Sequence, residues 1–151
     1  MHVRAVNNEF MQAAIDEAET GAAEGGIPIG SVIVHDGIII GRGHNRRIQR
    51  GSSVLHGEMD ALENAGRRAS HVYRESTLYT TLSPCAMCSG AILLYGIPRV
   101  VVAENRTFVG EEELLRSRGV RVEVLDDDYC VKMMTDFIAR EPTLWNEDIG
   151  V

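Results

Sequence analysis

The sequence predicts an α/β fold: a three-layer α/β/α sandwich on a mixed central sheet. Two β-branched runs meet at Asp36-Gly37, the composition of a tight antiparallel hairpin. Beyond it, strand-like and helix-like patterns alternate, and a hairpin followed by such alternation implies a layered sandwich. No internal repeat, low-complexity tract or Ser/Pro linker interrupts the 151 residues, so a single domain over 1–151 is expected.

The elements follow in chain order. Apolar Phe10, Met11, Ala14, Ile15 and Ala18 recur at helical spacing between Asn8 and Glu24, and Gly25-Gly26 ends that helix. The run "IGSVIVHDGIIIGRG" is the hairpin, and "HGEMDALENAGRR" reads as a second helix stopping near Gly66. Then "STLYTTL" is a strand, "CAMCSGAILLYG" a helix and "RVVVA" a strand. A short helix "EEELLRSRG", a strand "VRVEVL" and a helix "DYCVKMMTDFIAR" complete the series. The acidic run Asp126–Asp128 reads as the cap of that last helix, with solvated charges.

Composition narrows the function classes. Net charge is −7 and the arginines are scattered, whereas a protein that grips a polynucleotide usually shows a basic stripe. A small neutral substrate is expected, with no nucleic-acid partner. No apolar run approaches the ~20 residues that span a bilayer, so no membrane partner is expected. "MHVRAVNNEF" lacks the order of a secretory signal, and a cytoplasmic location is the expectation. Close cysteines in a reducing compartment more often bind metal or do redox work than pair structurally.

Cys85 and Cys88 form such a pair within "SPCAMC". At i and i+3 on the first turn of a helix they point the same way, and the helix N-terminus favours their thiolates. A third ligand is available in His56 of "LHGEMDA". Such a His-Cys-Cys set suits zinc, one per chain, and leaves the fourth tetrahedral position to water or hydroxide, as in catalytic sites. Glu58, two residues from His56, need not ligate and can exchange protons with that water. HxE followed about thirty residues later by PCxxC is the signature of zinc-dependent base deaminases. Two other readings stay open: a thioredoxin-like redox pair, which leaves His56 and Glu58 unexplained, and a structural zinc completed by Cys130. Cys130 sits in a helical pattern, where it reads as a small buried hydrophobe.

With those residues in view, the chain resembles fungal-type cytosine deaminase, within the cytidine deaminase-like superfamily. The likeness runs through "EGGIPIG", "GRGHN", "LHGE", "TLYTTLSPCAMC" and "YGIPR" to "WNEDIG". It implies that His56, Cys85 and Cys88 hold zinc and that Glu58 is the proton shuttle. It further implies that Asn45 and the backbone N–H of Gly57 bind the pyrimidine carbonyl, while the Ser83 carbonyl and Asp148 meet the amine edge. Phe108 and Trp145 would cover the ring, with Ile29 beneath it, and the protein would be a homodimer. Each pocket residue has an ordinary alternative: Asn45 as a turn stabiliser, Phe108 and Trp145 as core aromatics, Asp148 as a solvated tail charge. His2, His35 and His71 read as surface or structural, and His44 as a residue that orients the Asn45 loop. Asn146 departs from the fungal pattern, which carries an aromatic there; if that position lines the pocket, the pocket is more polar and more open.

The implied reaction is hydrolytic deamination of free cytosine to uracil and ammonia, with attack at C4 and Glu58 carrying protons to N3 and to the leaving amine. The rivals are a deaminase of guanine or another free amino-heterocycle, a tRNA adenosine deaminase, and a non-catalytic zinc-stabilised interaction domain.

Overall fold

Asn8 opens the first helix, α1 (Glu9–Ala23), by accepting from the N–H groups of Phe10 and Met11, two donors with no partner inside the helix. The computed structural model describes residues 8–151, so His2 lies outside the described residues. Gly25, at φ 87°, then turns the chain out of the helix, a conformation glycine adopts without strain. Strands β1 (Gly30–His35) and β2 (Ile38–His44) pair antiparallel. Asp36 and Gly37 both take positive φ, 52° and 72°, as the two-residue hairpin turn requires.

The chain continues through α2 (Arg47–Arg50), α3 (Gly57–Ala65), α4 (Ser70–Arg74), β3 (Ser76–Leu82), α5 (Ala86–Tyr95) and β4 (Arg99–Glu104). It ends with α6 (Glu112–Ser117), β5 (Arg121–Val124), α7 (Asp128–Arg140) and α8 (Pro142–Asp148). The strand order is β2-β1-β3-β4-β5. β1 is antiparallel to β2 and β3, whereas β3, β4 and β5 run parallel, giving the expected mixed sheet.

Strand alternation assigns the two faces. Val32, Tyr79, Val101 and Ala103 pack on one face with Met11, Ala14 and Ile15 of α1 and Cys130 of α7. Their neighbours Ile33, Leu78, Val100 and Val102 face the other way, against Ala61, Tyr73, Ile92 and Leu115 of α3 to α6. Helix α3 lies unusually close to β2: a Cβ at Gly41 would fall 2.4 Å from the Ala61 carbonyl oxygen, and one at Gly43 2.6 Å from the Ala61 nitrogen. This close approach explains both glycines of "GRG". A third apolar cluster, with Ile27, Ile29, Leu82, Met134, Phe137 and Trp145, joins α7 and α8 to the sheet end where β3 finishes.

Three helices differ from expectation. The stretches now seen as α2, α4 and α8 carry no helical reading in the sequence, because four, five and seven residues are too few for a hydrophobic period. Asp127 caps α7 by accepting from the Cys130 N–H, as the acidic run suggested. Among the described residues, no helix is long and apolar enough to cross a membrane.

Candidate active site

The chemistry-bearing residues converge at the carboxyl ends of β3 and β4, where open α/β sheets place their ligands. Helix α3 starts there, with His56 just before its first residue and Gly57 and Glu58 in its first turn. Helix α5 starts beside it, with Cys85 at its N-cap and Cys88 three residues on. His56 Nδ1 stands 3.4 Å from Cys85 Sγ and 3.7 Å from Cys88 Sγ. A zinc bonded to an imidazole nitrogen at about 2.0 Å and a thiolate at about 2.3 Å holds those donors about 3.5 Å apart at the tetrahedral angle. The donors therefore fit the ion in type and in spacing. Among the described residues these three are the group able to hold a metal ion, and Cys130 is not part of it. Cys130 is buried against the opposite face of the sheet, in the apolar cluster under α1, so the four-ligand structural zinc does not form.

The three donors and Glu58 shift one another's protonation. The Cys88 thiol bonded to Cys85, against the cost of burial, and with His56 alongside, pulls Cys85 down to about 4. The same contact with Cys85 and burial push Cys88 well up. One thiolate therefore forms easily at the helix N-terminus and the second resists, because two adjacent anions repel. Burial would lower His56, but Cys85, Asp148 and Glu58 outweigh it and hold the imidazole at about 9. Glu58 is pushed up to about 7 by burial, with His56 opposing and Cys85 adding to the rise. A dication at the ligands would draw all four downward.

Beside the ligands lies a cavity of about 20 Å³, enough for about one water. Its walls include Ile29, Glu58, Ser83, Phe108, Trp145 and Asp148, together with His56 and Cys85. Phe108 meets Trp145 edge-on, with ring centroids 6.0 Å apart. Asn45 and Gly57 stand behind this wall. Asn45, fully buried, donates its amide to Asp148 Oδ1 at 2.8 Å and accepts the Arg47 N–H at 3.1 Å. Asp148 Oδ1 also lies 3.5 Å from Arg47 Nη1 and 3.4 Å from His56 Nε2, the imidazole nitrogen turned away from the cysteines. Asp148 is thus a buried staple between the C-terminal helix and the site, and the solvated-tail reading does not hold. Asn146 is exposed and absent from the cavity wall. Trp145, Asp148 and Ile149 line the cavity, while Asn146, about 100° round the helix from Trp145, points into solvent.

Sequence reasoning missed Leu82 and Arg47. Leu82 lines the cavity as the last residue of β3, and its inward alternation with Thr80 was available as a signal. Nothing in the sequence distinguishes Arg47 from its neighbours Arg46 and Arg50. Next to Asn45, the His44 ring nitrogens reach Glu17 Oε1 of α1 at 2.9 Å and Oε1 of Glu24, the residue that follows α1, at 2.8 Å. His71 is exposed and His35 half-buried.

Comparison with known proteins gives the arrangement a context. Residues 4–104 match the family described as the cytidine and deoxycytidylate deaminase zinc-binding region. The chain is 55% identical over 141 residues to a cytosine deaminase of Candida albicans, covering 93% of this chain and 94% of that protein. It is 46% identical over 108 residues to a tRNA-specific adenosine deaminase of Streptococcus pyogenes, covering 70% of this chain and 67% of that one. A solved structure of guanine deaminase from Nitrosomonas europaea superposes with a TM-score of 0.72 at 22% identity, over 91% of this chain and 87% of that chain, a likeness of fold.

Proposed function

Because the chain belongs to the cytidine and deoxycytidylate deaminase zinc-binding family, we infer that it is a hydrolase that converts free cytosine to uracil and ammonia. Near full-length identity to a cytosine deaminase supports the substrate. The observation that carries the reading in the structure is the small cavity beside the His56, Cys85 and Cys88 donors, with Glu58 in its wall and α8 across it. As it stands the cavity holds about one water, so a base enters by displacing α8 from the mouth, and α8 lying across it leaves less room for a nucleoside or an RNA loop than for a flat base. The whole chain is read as one deaminase domain.

Zinc, held by His56, Cys85 and Cys88, supplies a Lewis acid that makes water nucleophilic near neutral pH. Glu58 does the proton work: it takes one from the attacking water, delivers it to ring N3, and carries a second to the C4 amine, which leaves as ammonia. A carboxyl that burial raises is suited to both directions of transfer. Asn45 uses one amide hydrogen on Asp148, and its second is free to meet the pyrimidine carbonyl. The Gly57 N–H, at the start of α3 where helix donors have no internal partner, adds to that contact. Asp148 and the Ser83 carbonyl accept from the amine side, and Phe108, Trp145 and Ile29 cover the faces of the ring.

We also propose a homodimer. Beside α3 and α5 runs a groove of about 520 Å³ lined in part by Val54, Met59, Leu62, Leu94 and Tyr95. Leu94 is 75% exposed and Val54 51%, exposed apolar side chains bordered by Glu63, Arg67, Arg68 and Arg74, a mixed surface that a second copy can cover. Sedimentation of the protein and of a Leu94→Glu variant tests it; a monomeric parent protein sinks the idea.

The functional test is ammonia release by zinc-loaded protein from cytosine, with cytidine, adenine and guanine alongside. Turnover of cytosine is expected. Release from guanine or adenine alone overturns the substrate assignment and leaves the chemistry standing.

A further inference from the structure

Two carboxylates that the reaction does not use are buried next to the cavity without lining it. Glu104 ends β4 with no exposed surface, and Glu112, in the first turn of α6, is 4% exposed. A buried carboxylate is costly unless its lone pairs are met, so its partners show what it holds. Glu104 Oε1 accepts the N–H groups of Arg106 at 2.8 Å and Thr107 at 3.0 Å, and Oε2 accepts the Thr107 hydroxyl. Glu112 Oε2 accepts the Ser83 hydroxyl at 2.6 Å and Oε1 the Asn105 amide at 3.2 Å, with Arg116 Nη1, one turn further along α6, 3.7 Å from Oε1.

The Ser83 hydroxyl in turn accepts the Gly110 N–H at 2.8 Å, and the Glu111 N–H donates to the Pro84 carbonyl at 3.0 Å. The contact there is so tight that a Cβ on Gly110 would fall 1.8 Å from the Pro84 oxygen. The segment 105–111 is therefore fastened at one end to β4 and at the other to the end of β3. Phe108 stands between the two fastenings, and both Phe108 and Ser83 line the cavity.

We propose that Glu104 and Glu112 are positioning residues for the reaction: together they fix the backbone of 105–111 and of Ser83-Pro84. The ring-covering face of Phe108 and the Ser83 carbonyl are then set before substrate arrives. A carboxylate suits this task because its two oxygens gather donors from separate chain segments at one point. Preset walls spare the complex the ordering that binding otherwise costs, and a displacement of about 1 Å in such a wall can cost about a hundredfold in rate. The kinetic consequence rests on the cytosine deaminase reading above; the placement of the loop does not.

The test compares Glu104→Gln, Glu112→Gln and the corresponding Ala variants with the parent protein and with Glu113→Gln, an exposed neighbour on α6. Zinc content, kcat and KM for cytosine are measured, and so is acrylamide quenching of Trp145, the chain's single tryptophan, without substrate. Gln keeps one acceptor oxygen and loses the other, so a partial effect is expected: KM up about tenfold with a smaller fall in kcat, zinc unchanged and Trp145 more readily quenched. The Ala variants should lose more; should they fail to fold, the Gln variants carry the test. The double Gln variant should lose less than the product of the single effects, because both carboxylates hold one segment. KM and quenching within about twofold of the parent protein in both Gln variants, with only a lower melting temperature, would overturn the proposal. So would a loss of activity that follows a loss of zinc. If the parent protein releases no ammonia from cytosine, the functional reading fails, and the quenching measurement decides the positioning role alone.

Discussion

Removing the Asp148 carboxylate should undock the C-terminal helix. Its Oδ1 receives Asn45 Nδ2 at 2.8 Å and lies 3.5 Å from Arg47 Nη1 and 3.4 Å from His56 Nε2. Asp148→Ala strands the fully buried Asn45 amide, and an unsatisfied buried donor costs about 1–3 kcal/mol. Arg47 Nε already lies buried without a partner among the described residues, and the guanidinium also loses the anion that lies 3.5 Å from its Nη1. Its side chain is 19% exposed, and partial rehydration limits that part of the loss to about 1 kcal/mol. The total is about 2–4 kcal/mol, from which the better helix propensity of Ala subtracts a few tenths of a kcal/mol. For a chain of this size that corresponds to a fall in Tm of about 5–15 °C. Asp148→Asn keeps an acceptor oxygen for Asn45 and loses only the charge, so about 1 kcal/mol is expected.

Thermal melts at fixed zinc concentration, followed by Trp145 fluorescence, give the comparison. Glu147→Ala is the control, since Glu147 is exposed one position away and should stay within about 0.5 kcal/mol of the parent protein. If Asp148→Ala melts with Glu147→Ala, the Asp148 contacts contribute nothing measurable and the staple argument is wrong.

Other outcomes follow from the same site. Glu58→Gln should keep zinc at one per chain and lose about 10²–10⁴ in kcat, the usual range for a proton shuttle; near-normal turnover would refute its role. Zinc binding at about pH 7.5 should release about two protons, one from His56 and one from Cys88, because Cys85 is already a thiolate. Calorimetry in two buffers of different ionisation enthalpy reads that number, and a value below about one contradicts the protonation pattern. His44 is raised because its bonds to Glu17 and Glu24 outweigh burial, the largest single influence, which lowers it. A raised folded-state pKa gives stability that is present below the unfolded value of about 6.5 and is lost as pH rises through the folded one. The Tm gap between the parent protein and His44→Gln should therefore be wider at about pH 6 than at about pH 8.5, and a gap that widens with pH reverses the sign of the argument.

What the sequence disclosed depended on whether chemistry fixes spacing along the chain. One ion shared by the first turns of two helices demands HxE and CxxC, so His56, Glu58, Cys85 and Cys88 could be read directly. The Asp36-Gly37 turn was legible because positive φ at two successive positions favours that pair of residues. Glu104 and Glu112 were not, because a buried carboxylate and a solvated one look alike in a string of letters. Glu112 sits between Glu111 and Glu113 in "EEE", and the approach of Ser83 and Asn105, from 29 and 7 residues away, buries it and gives it hydrogen-bond partners that the string does not show.

Asn146 shows the converse, a departure in sequence whose apparent meaning the fold removes. Set against a pattern that carries an aromatic, it suggested a more open and polar pocket. That inference held only if position 146 lines the pocket. The segment is helix α8 through Asp148, started by Pro142 in its first turn, and its geometry commits Trp145, Asp148 and Ile149 to the cavity side. Asn146, about 100° round the helix from Trp145, is turned to solvent. On the function proposed above, substrate discrimination would fall to groups that face the cavity, among them Leu82 and Ile149 on its apolar side and the Asp148 carboxylate with Asn45 behind it. A pocket with fixed hydrogen-bonding partners rejects a base that leaves them unpaired far more strongly than an apolar wall rejects one that is slightly too large. On that reading the Asn45–Asp148 pair is where a change of base preference would be made.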